Sequence, residues 1–391
     1  MTACAVAGSV SVPGSMTTSV SAFTIAADGS YAARLAGEGE ARYPERWTLG
    51  GPEPYAVPLP LGQPEEADSE VLPLADGRVL IHRRVADRHA FALLYPTGPR
   101  TGELPLGAVE PPDGTRVTLL PPAPDGSSAY ALAVGGESTT VWRVAGAAFG
   151  PERVAHVPGR CSGGVWLDGQ GRLLALDREL DGRTKAVAVD LGRGGEVSPL
   201  LQIAESSDDR LLLADADSGL LLIRSDAPGE ERLGWGVLGS ARPVRFPECL
   251  RGVGRSAVPF AVQPGQMLMP EACGVALRLA GPGGPDRGEG GDGGAGFGGF
   301  GDAIALWRPA DRHVFRLGAP AGWLGGAGLW TREGRLRLPY ATPDVPCGVT
   351  SLALPDGPPP AVHLTPPPAA PAAPRPVPLQ QAPLKGRMAL R

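Results

Sequence analysis

The sequence predicts an all-β chain folded as a β-propeller, most readily of seven four-stranded blades, and three observations predict it. Short apolar segments separated by turn residues recur about every ten residues, whereas no stretch sustains helical i, i+3, i+4, i+7 spacing over three turns without meeting Gly or Pro. A tight turn between two apolar strands recurs seven times, at Asp28-Gly29-Ser30, Asp76-Gly77-Arg78, Asp125-Gly126-Ser127, Asp168-Gly169-Gln170, Asp208-Asp209-Arg210, Pro264-Gly265-Gln266 and Glu333-Gly334-Arg335. These turns stand 41 to 69 residues apart, and the 333 residues outside 281–301 and 355–391 divided by seven give about 48, the length of a four-stranded blade with its loops. The pattern is poorly defined over residues 242–263, so six or eight blades also fit.

The clearest strands are Val79-Leu80-Ile81, Ala131-Leu132-Ala133-Val134, Leu173-Leu174-Ala175-Leu176, Ala186-Val187-Ala188-Val189, Leu211-Leu212-Leu213 and Leu220-Leu221-Leu222-Ile223, each bounded by turn residues. Two units align strand by strand. Gly164-Val165-Trp166, Gly171 to Leu176, Ala186 to Leu191 and Val197 to Leu200 match Gly328-Leu329-Trp330, Gly334 to Leu338, Thr350 to Leu354 and Val362 to Leu364. A Trp-Arg pair recurs on a predicted third strand, at Trp142-Arg143 and Trp307-Arg308. A four-stranded sheet has two faces to cover, so tryptophans at repeated positions are expected to pack between blades rather than to stack on a ligand.

The segment Ala123-Pro124-Asp125-Gly126-Ser127 before Ala129-Tyr130-Ala131-Leu132 resembles the Pro-Asp-Gly hairpin of TolB-like and WD-repeat-like β-propellers, and weaker forms stand at Asp28, Asp76 and Asp208. The same hairpin occurs in the propellers of prolyl-oligopeptidase-type proteins. The resemblance covers roughly residues 20 to 355. No Gly-His paired with Trp-Asp marks the blades, which sets the chain apart from WD repeats proper. The resemblance implies a propeller part without the catalytic half of a prolyl oligopeptidase. Its first strand is expected to complete the last blade and so remove a free sheet edge.

Composition divides the chain into an N-terminal segment, 1–19, a propeller, 20–354, and a tail, 355–391. Glycine supplies 12 of the 21 residues of Gly281–Gly301, which reads as a surface loop insert, and proline 12 of the 37 residues of Pro355–Arg391, which reads as a disordered tail. The net charge of −5 gives no electrostatic ground for binding nucleic acid or an anionic membrane, and no apolar run reaches the roughly 18 to 20 residues of a membrane span. Asparagine is absent, so tight turns rely on Asp-Gly and its analogues. Five scattered cysteines, with no Cys-x-x-Cys, suit reduced thiols, and residues 1–16 lack the basic start and apolar core of a secretory signal. A cytoplasmic, monomeric protein is the expectation.

Chemistry is hard to find. A Gly-x-Ser-x-Gly elbow is absent, and Ser162-Gly163 and Ser218-Gly219 read as turns. His82, His89, His156, His313 and His363 show no metal-ligand spacing. Asp208, Asp209, Asp215 and Asp217 form the densest acidic group, and Asp215-Ala216-Asp217-Ser218-Gly219 reads as a hairpin turn more readily than as a calcium loop. The Gly-x-Gly-x-x-Gly matches within Gly291–Gly299 lack the strand and helix that phosphate binding needs. No cofactor and no catalytic residue is assigned, and the sequence leans away from an enzyme.

The tail offers candidate partner-binding residues at Pro371, Pro374, Arg375, Pro376 and Pro378, a Pro-x-x-Pro segment with an adjacent arginine, although a spacer reading is preferred. The function expected is a non-catalytic platform for a protein or peptide partner. The alternative is a gating propeller for a separately encoded prolyl-oligopeptidase-like serine hydrolase or, less readily, a channel-metal hydrolase or lactonase. The last would need three or more carboxylates and imidazoles converging in the channel.

Overall fold

The computed structural model describes residues 23–37, 39–253, 257–265, 268–279 and 303–355. They form seven antiparallel sheets, each built from consecutive strands. Blade A holds β1 (Thr24–Ile25), β2 (Tyr31–Ala36), β3 (Tyr43–Thr48) and β4 (Tyr55–Pro58), and blade B holds β5 (Glu70–Pro73), β6 (Val79–Val85), β7 (Arg88–Pro96) and β8 (Thr101–Val109). Blade C follows with β9 (Arg116–Leu119), β10 (Ala129–Val134), β11 (Ser138–Ala145) and β12 (Glu152–Pro158). Blade D comprises β13 (Arg160–Trp166), β14 (Leu173–Leu180), β15 (Arg183–Asp190) and β16 (Glu196–Leu201). In blade E, β17 (Asp209–Ala214), β18 (Leu220–Ser225) and β19 (Arg232–Val237) are joined by a single bridge from Arg245 to Trp235 in place of a full fourth strand. Blade F holds β20 (Val258–Val262), β21 (Val275–Leu279), β22 (Ala303–Trp307) and β23 (Phe315–Gly318), and blade G holds β24 (Leu329–Trp330), β25 (Arg335–Tyr340) and β26 (Gly348–Ala353). The chain is thus an all-β, seven-bladed propeller.

Both faces of a blade are buried, which is why the strands read as continuous apolar runs rather than as polar–apolar alternation. In β10, Ala129, Ala131 and Ala133 pack toward blade B while Tyr130 and Leu132 pack toward blade D. In β18, Leu221 and Ile223 face blade D, and Leu220 and Leu222 face blade F. Seven apolar clusters result, one at each seam between consecutive blades. The last closes the ring: Ala32, Trp47 and Leu49 of blade A meet Leu324, Ala341, Cys347 and Val349 of blade G. The Arg337 guanidinium adds a hydrogen bond to the Leu49 carbonyl, 2.9 Å. Among the described residues closure comes from this packing, because the first described strand pairs within blade A. Residues 1–22, the insert 281–301 and the tail beyond Pro355 fall outside the described residues.

The tryptophans lie between blades, as their repetition predicts. Trp47, Trp142, Trp235 and Trp307 occupy third strands, and Trp166 and Trp330 occupy inner strands. Trp166 of blade D donates its Nε1–H to the Pro121 carbonyl of blade C, 3.1 Å, and its ring lies 5.2 Å from Tyr130.

Six of the seven predicted turns link the inner strand of a blade to its second strand. The exception is Asp208-Asp209, which lies where the chain passes from blade D to blade E; the equivalent turn is Asp215 to Gly219, one strand later. The Asp side chain makes the turn by accepting backbone N–H groups: Asp125 Oδ1 takes those of Ser127 and Ser128 at 3.0 and 2.9 Å, and Asp76 Oδ1 that of Arg78 at 3.0 Å. The glycine then serves the seam. Gly126 has φ +70, and a Cβ there would stand 2.6 Å from the Ala75 Cβ of the preceding blade, beside the Ala75 N–H to Gly126 carbonyl bond of 2.9 Å. No described helix is long and apolar enough to cross a membrane.

Gly126→Ala therefore meets a left-handed backbone and an occupied seam together, and is expected to cost about 1–3 kcal/mol. Urea unfolding checks this, with a loss below about 0.5 kcal/mol contradicting the seam role.

Candidate functional site at the axial cavity

A cavity of about 1020 Å³ is lined by residues of blades A, B and C, with Phe260 of blade F and Gly326, Ala327 and Gly328 of blade G. Its apolar wall includes Phe23, Ile25, Leu35, Val117 and Phe260, and its charged side chains are Asp68, Glu70, Asp87, Asp113, Arg84 and Arg116. No side chain among Asp68, Asp87, Asp113, Arg84 and Arg116 forms a salt bridge with a described residue.

Strand parity delivers one polar chain to this cavity. Glu70 pairs with His82 across β5 and β6, and His82 with Phe91 across β6 and β7, so the three share the face of blade B that carries Leu72, Leu80 and Leu93 toward blade C. His89 lies two residues before Phe91 and so falls on the same face. Glu70 Oε2 accepts the Leu119 N–H of blade C at 2.9 Å and stands 2.9 Å from His82 Nδ1; His82 Nε2 stands 2.8 Å from His89 Nδ1. The His82 ring is buried and stacked on Phe91, with centroids 5.0 Å apart and planes at 17°. Burial, then the nearby His82 and the Arg84 guanidinium, hold His89 below the usual imidazole range, against the opposing carboxylates of Glu70 and Asp68.

Sequence reasoning treats these histidines singly and misses the pair. The signal lies in the hairpin: Ala86-Asp87 is a two-residue turn with Ala86 at φ +54, so Arg84 faces His89, and His82 lies diagonally across from it. Three titratable groups are thus brought together, but as a line rather than around a point. The atoms between them are spent on one another, and among the described residues no three His, Cys, Asp or Glu side chains could hold a metal ion.

The acidic group near residue 209 has a different role. Asp209 is fully buried, where it receives Lys185 Nζ at 2.7 Å, Ser225 Oγ at 2.6 Å and the Ile203 N–H at 3.0 Å. Asp208 accepts the Thr184 N–H at 2.8 Å. Asp215 caps the Ser218 N–H at 2.8 Å and takes the Gly265 N–H of blade F at 3.0 Å, so its carboxylate is occupied by a turn and a seam. Ser218-Gly219 is part of that turn. Ser162-Gly163 is not a turn: it sits in β13 at a bulge, where the register shifts between Ser162 and Val165 and Gly163 adopts φ +73. The tail residues Pro371, Pro374, Arg375, Pro376 and Pro378 and the Gly291–Gly299 motif lie outside the described residues.

No protein-family model matches the chain, and no curated protein matches it. Solved structures do. A putative TolB from Agrobacterium tumefaciens is 17% identical over 58% of this chain and 79% of its own, with a TM-score of 0.39. Prolyl oligopeptidase B from Galerina marginata is 11% identical over 84% of this chain and 44% of its own, at 0.48. A puromycin-hydrolyzing peptidase from Mycobacterium tuberculosis is 16% identical over 85% and 51%, at 0.46. The chain spans about half the length of these two peptidases. The blade count rests on the sheet topology itself.

One seam carboxylate gives a pH test. Asp177 of blade D accepts the Leu211 N–H of blade E at 2.9 Å, and burial pushes it up to about 6. With the folded value above the ordinary one, its stabilising contribution is complete below about pH 4 and is lost as pH rises through about 6. Asp177→Asn keeps an acceptor for Leu211 and removes the ionisation. Its stability relative to the parent should rise by about 2 kcal/mol between pH 4 and pH 7.5 in urea titrations; a difference independent of pH would contradict the assignment.

Proposed function

We propose that this propeller is a non-catalytic platform that binds a protein or peptide segment at the mouth of its axial cavity. The observation that carries the reading is the lining: a cavity of about 1020 Å³ with Phe23, Ile25, Leu35, Val117 and Phe260 in its wall and the exposed charges of Asp68, Asp87, Asp113, Arg84 and Arg116, which have no salt-bridge partners among the described residues. An extended peptide presents the same mixture, with apolar side chains for the interior and charges of both signs for the rim. Charged rims add orientation and on-rate more than affinity, which the apolar wall supplies.

Selection from a displayed random-peptide library tests this. Selected peptides should lose at least about tenfold in affinity to an Asp87→Arg, Arg116→Glu variant, because each rim charge is reversed. They should bind unchanged to Phe149→Ser, which alters a fully exposed side chain in the β11–β12 turn. Failure to select any peptide, or equal binding to the rim variant, would overturn the platform reading.

A further inference from the structure

The line of groups on blade B fixes the chemistry of the atom it presents to the cavity. Glu70 is an acceptor for the Leu119 N–H, and an ionised carboxylate has no proton to give, so His82 Nδ1 must donate to it. In neutral His82 the other nitrogen, Nε2, is then an acceptor, and the partner 2.8 Å away, His89 Nδ1, must be the donor. Neutral His89 is left with a lone pair on Nε2. Its ring lines the cavity, so the relay ends in a hydrogen-bond acceptor there.

Charges of both signs stand around that acceptor. The titratable groups facing His89 are Glu70 of β5, His82 and Arg84 of β6, and Asp68 ahead of β5. Asp87 in the β6–β7 turn, with Asp113 and Arg116 beside β9, completes the charged lining. The cavity lining carries four carboxylates against two guanidiniums, with Arg84 directly across the strand from His89 and the Glu70 and Asp68 carboxylates acting on it in the opposite sense.

We infer that the axial cavity receives a protonated primary amine, whose N–H is accepted by His89 Nε2 beside the Asp68 and Asp87 carboxylates. The inference rests on the peptide-binding reading and sharpens it: the amine is the α-amino terminus or a lysine side chain of the bound segment. The relay also makes reception proton-dependent. A proton taken up by His89 leaves its Nε2 a donor, and the wall gains a positive charge. Amine binding is then lost.

Two measurements on the full chain test this. Nitrogen-15 spectra of labelled histidine at pH 8 should show His89 protonated on Nδ1 and bare on Nε2; an Nε2–H tautomer would overturn the inference without any ligand. Three probe peptides then separate the amine sources: Phe-Ala-Ala-Ala amide with a free amino terminus, its N-acetylated form, and N-acetylated Phe-Lys-Ala-Ala amide. At pH 7.5 at least one amine-bearing probe should bind at least about tenfold more tightly than the acetylated, lysine-free probe and shift the His89 Nε2 signal. That preference should fall as the pH is lowered and be lost in His89→Gln. His82→Phe, which keeps a ring against Phe91, should lose the fixed tautomer together with the preference. Equal binding of all three probes, or no binding by any, overturns the amine assignment. A library-selected peptide that binds the rim with neither free amine nor lysine overturns it too, but leaves the platform standing. The tautomer still reads the relay if the platform itself fails.

Discussion

A four-stranded sheet of this composition has two apolar faces and no helix layer to cover either, so each blade is stable only when sandwiched between two others. That constraint organises the rest. It closes the chain into a ring, because an open row would leave two faces in water, and it makes second strands into double-sided apolar runs such as Leu220 to Ile223. The seven seams are unequal. Those between C and D and between E and F bury large sets of Leu, Val and Trp side chains, whereas among the described residues the closing seam between G and A has only Ala32, Trp47 and Leu49 fully in its core.

Apolar packing alone would leave backbone groups of the inner strands without partners where one blade ends and the next begins, and acidic side chains take up several of them. Glu70 receives the Leu119 N–H across the B–C seam, Asp177 that of Leu211 across D–E, and Asp215 that of Gly265 across E–F. Each satisfies a donor that would otherwise be costly to bury. In two of the three the carboxylate has no imidazole attached. Glu70 differs because its second role is to orient His82, and through it His89, toward the cavity. The candidate site is therefore a seam staple extended by two residues, which explains how a precise tautomer can be held on a thin hairpin.

Much of this was legible in the sequence because propeller geometry repeats. Asp-Gly, Pro-Gly and Glu-Gly turns recurring 41 to 69 residues apart pointed to seven blades, and repeated tryptophans pointed to the seams. One turn was misplaced by a strand because Asp208-Asp209 has the composition of a turn while its carboxylates serve the D–E seam, and the true turn at Asp215 lacks an adjacent glycine. Ser162-Gly163 looked like a turn because Ser-Gly has turn chemistry, but local composition does not distinguish a bulge inside a strand from a reversal. The site was harder to see. His82 and His89 are brought together by hairpin register, and Glu70 joins them from the neighbouring strand, so three separate stretches contribute one residue each. Spacing rules written for metal sites do not register such a line.

Seam packing holds the ring, and the seam between blades G and A, with the smallest apolar core among the described residues, should open first. Native-state hydrogen exchange at increasing denaturant tests it most directly. The prediction is that amides of β2, β3, β25 and β26 exchange through a shared opening of lower free energy than those of the strands flanking the C–D and E–F seams. Equal opening energies around the ring, or earlier opening at the C–D seam, would contradict it.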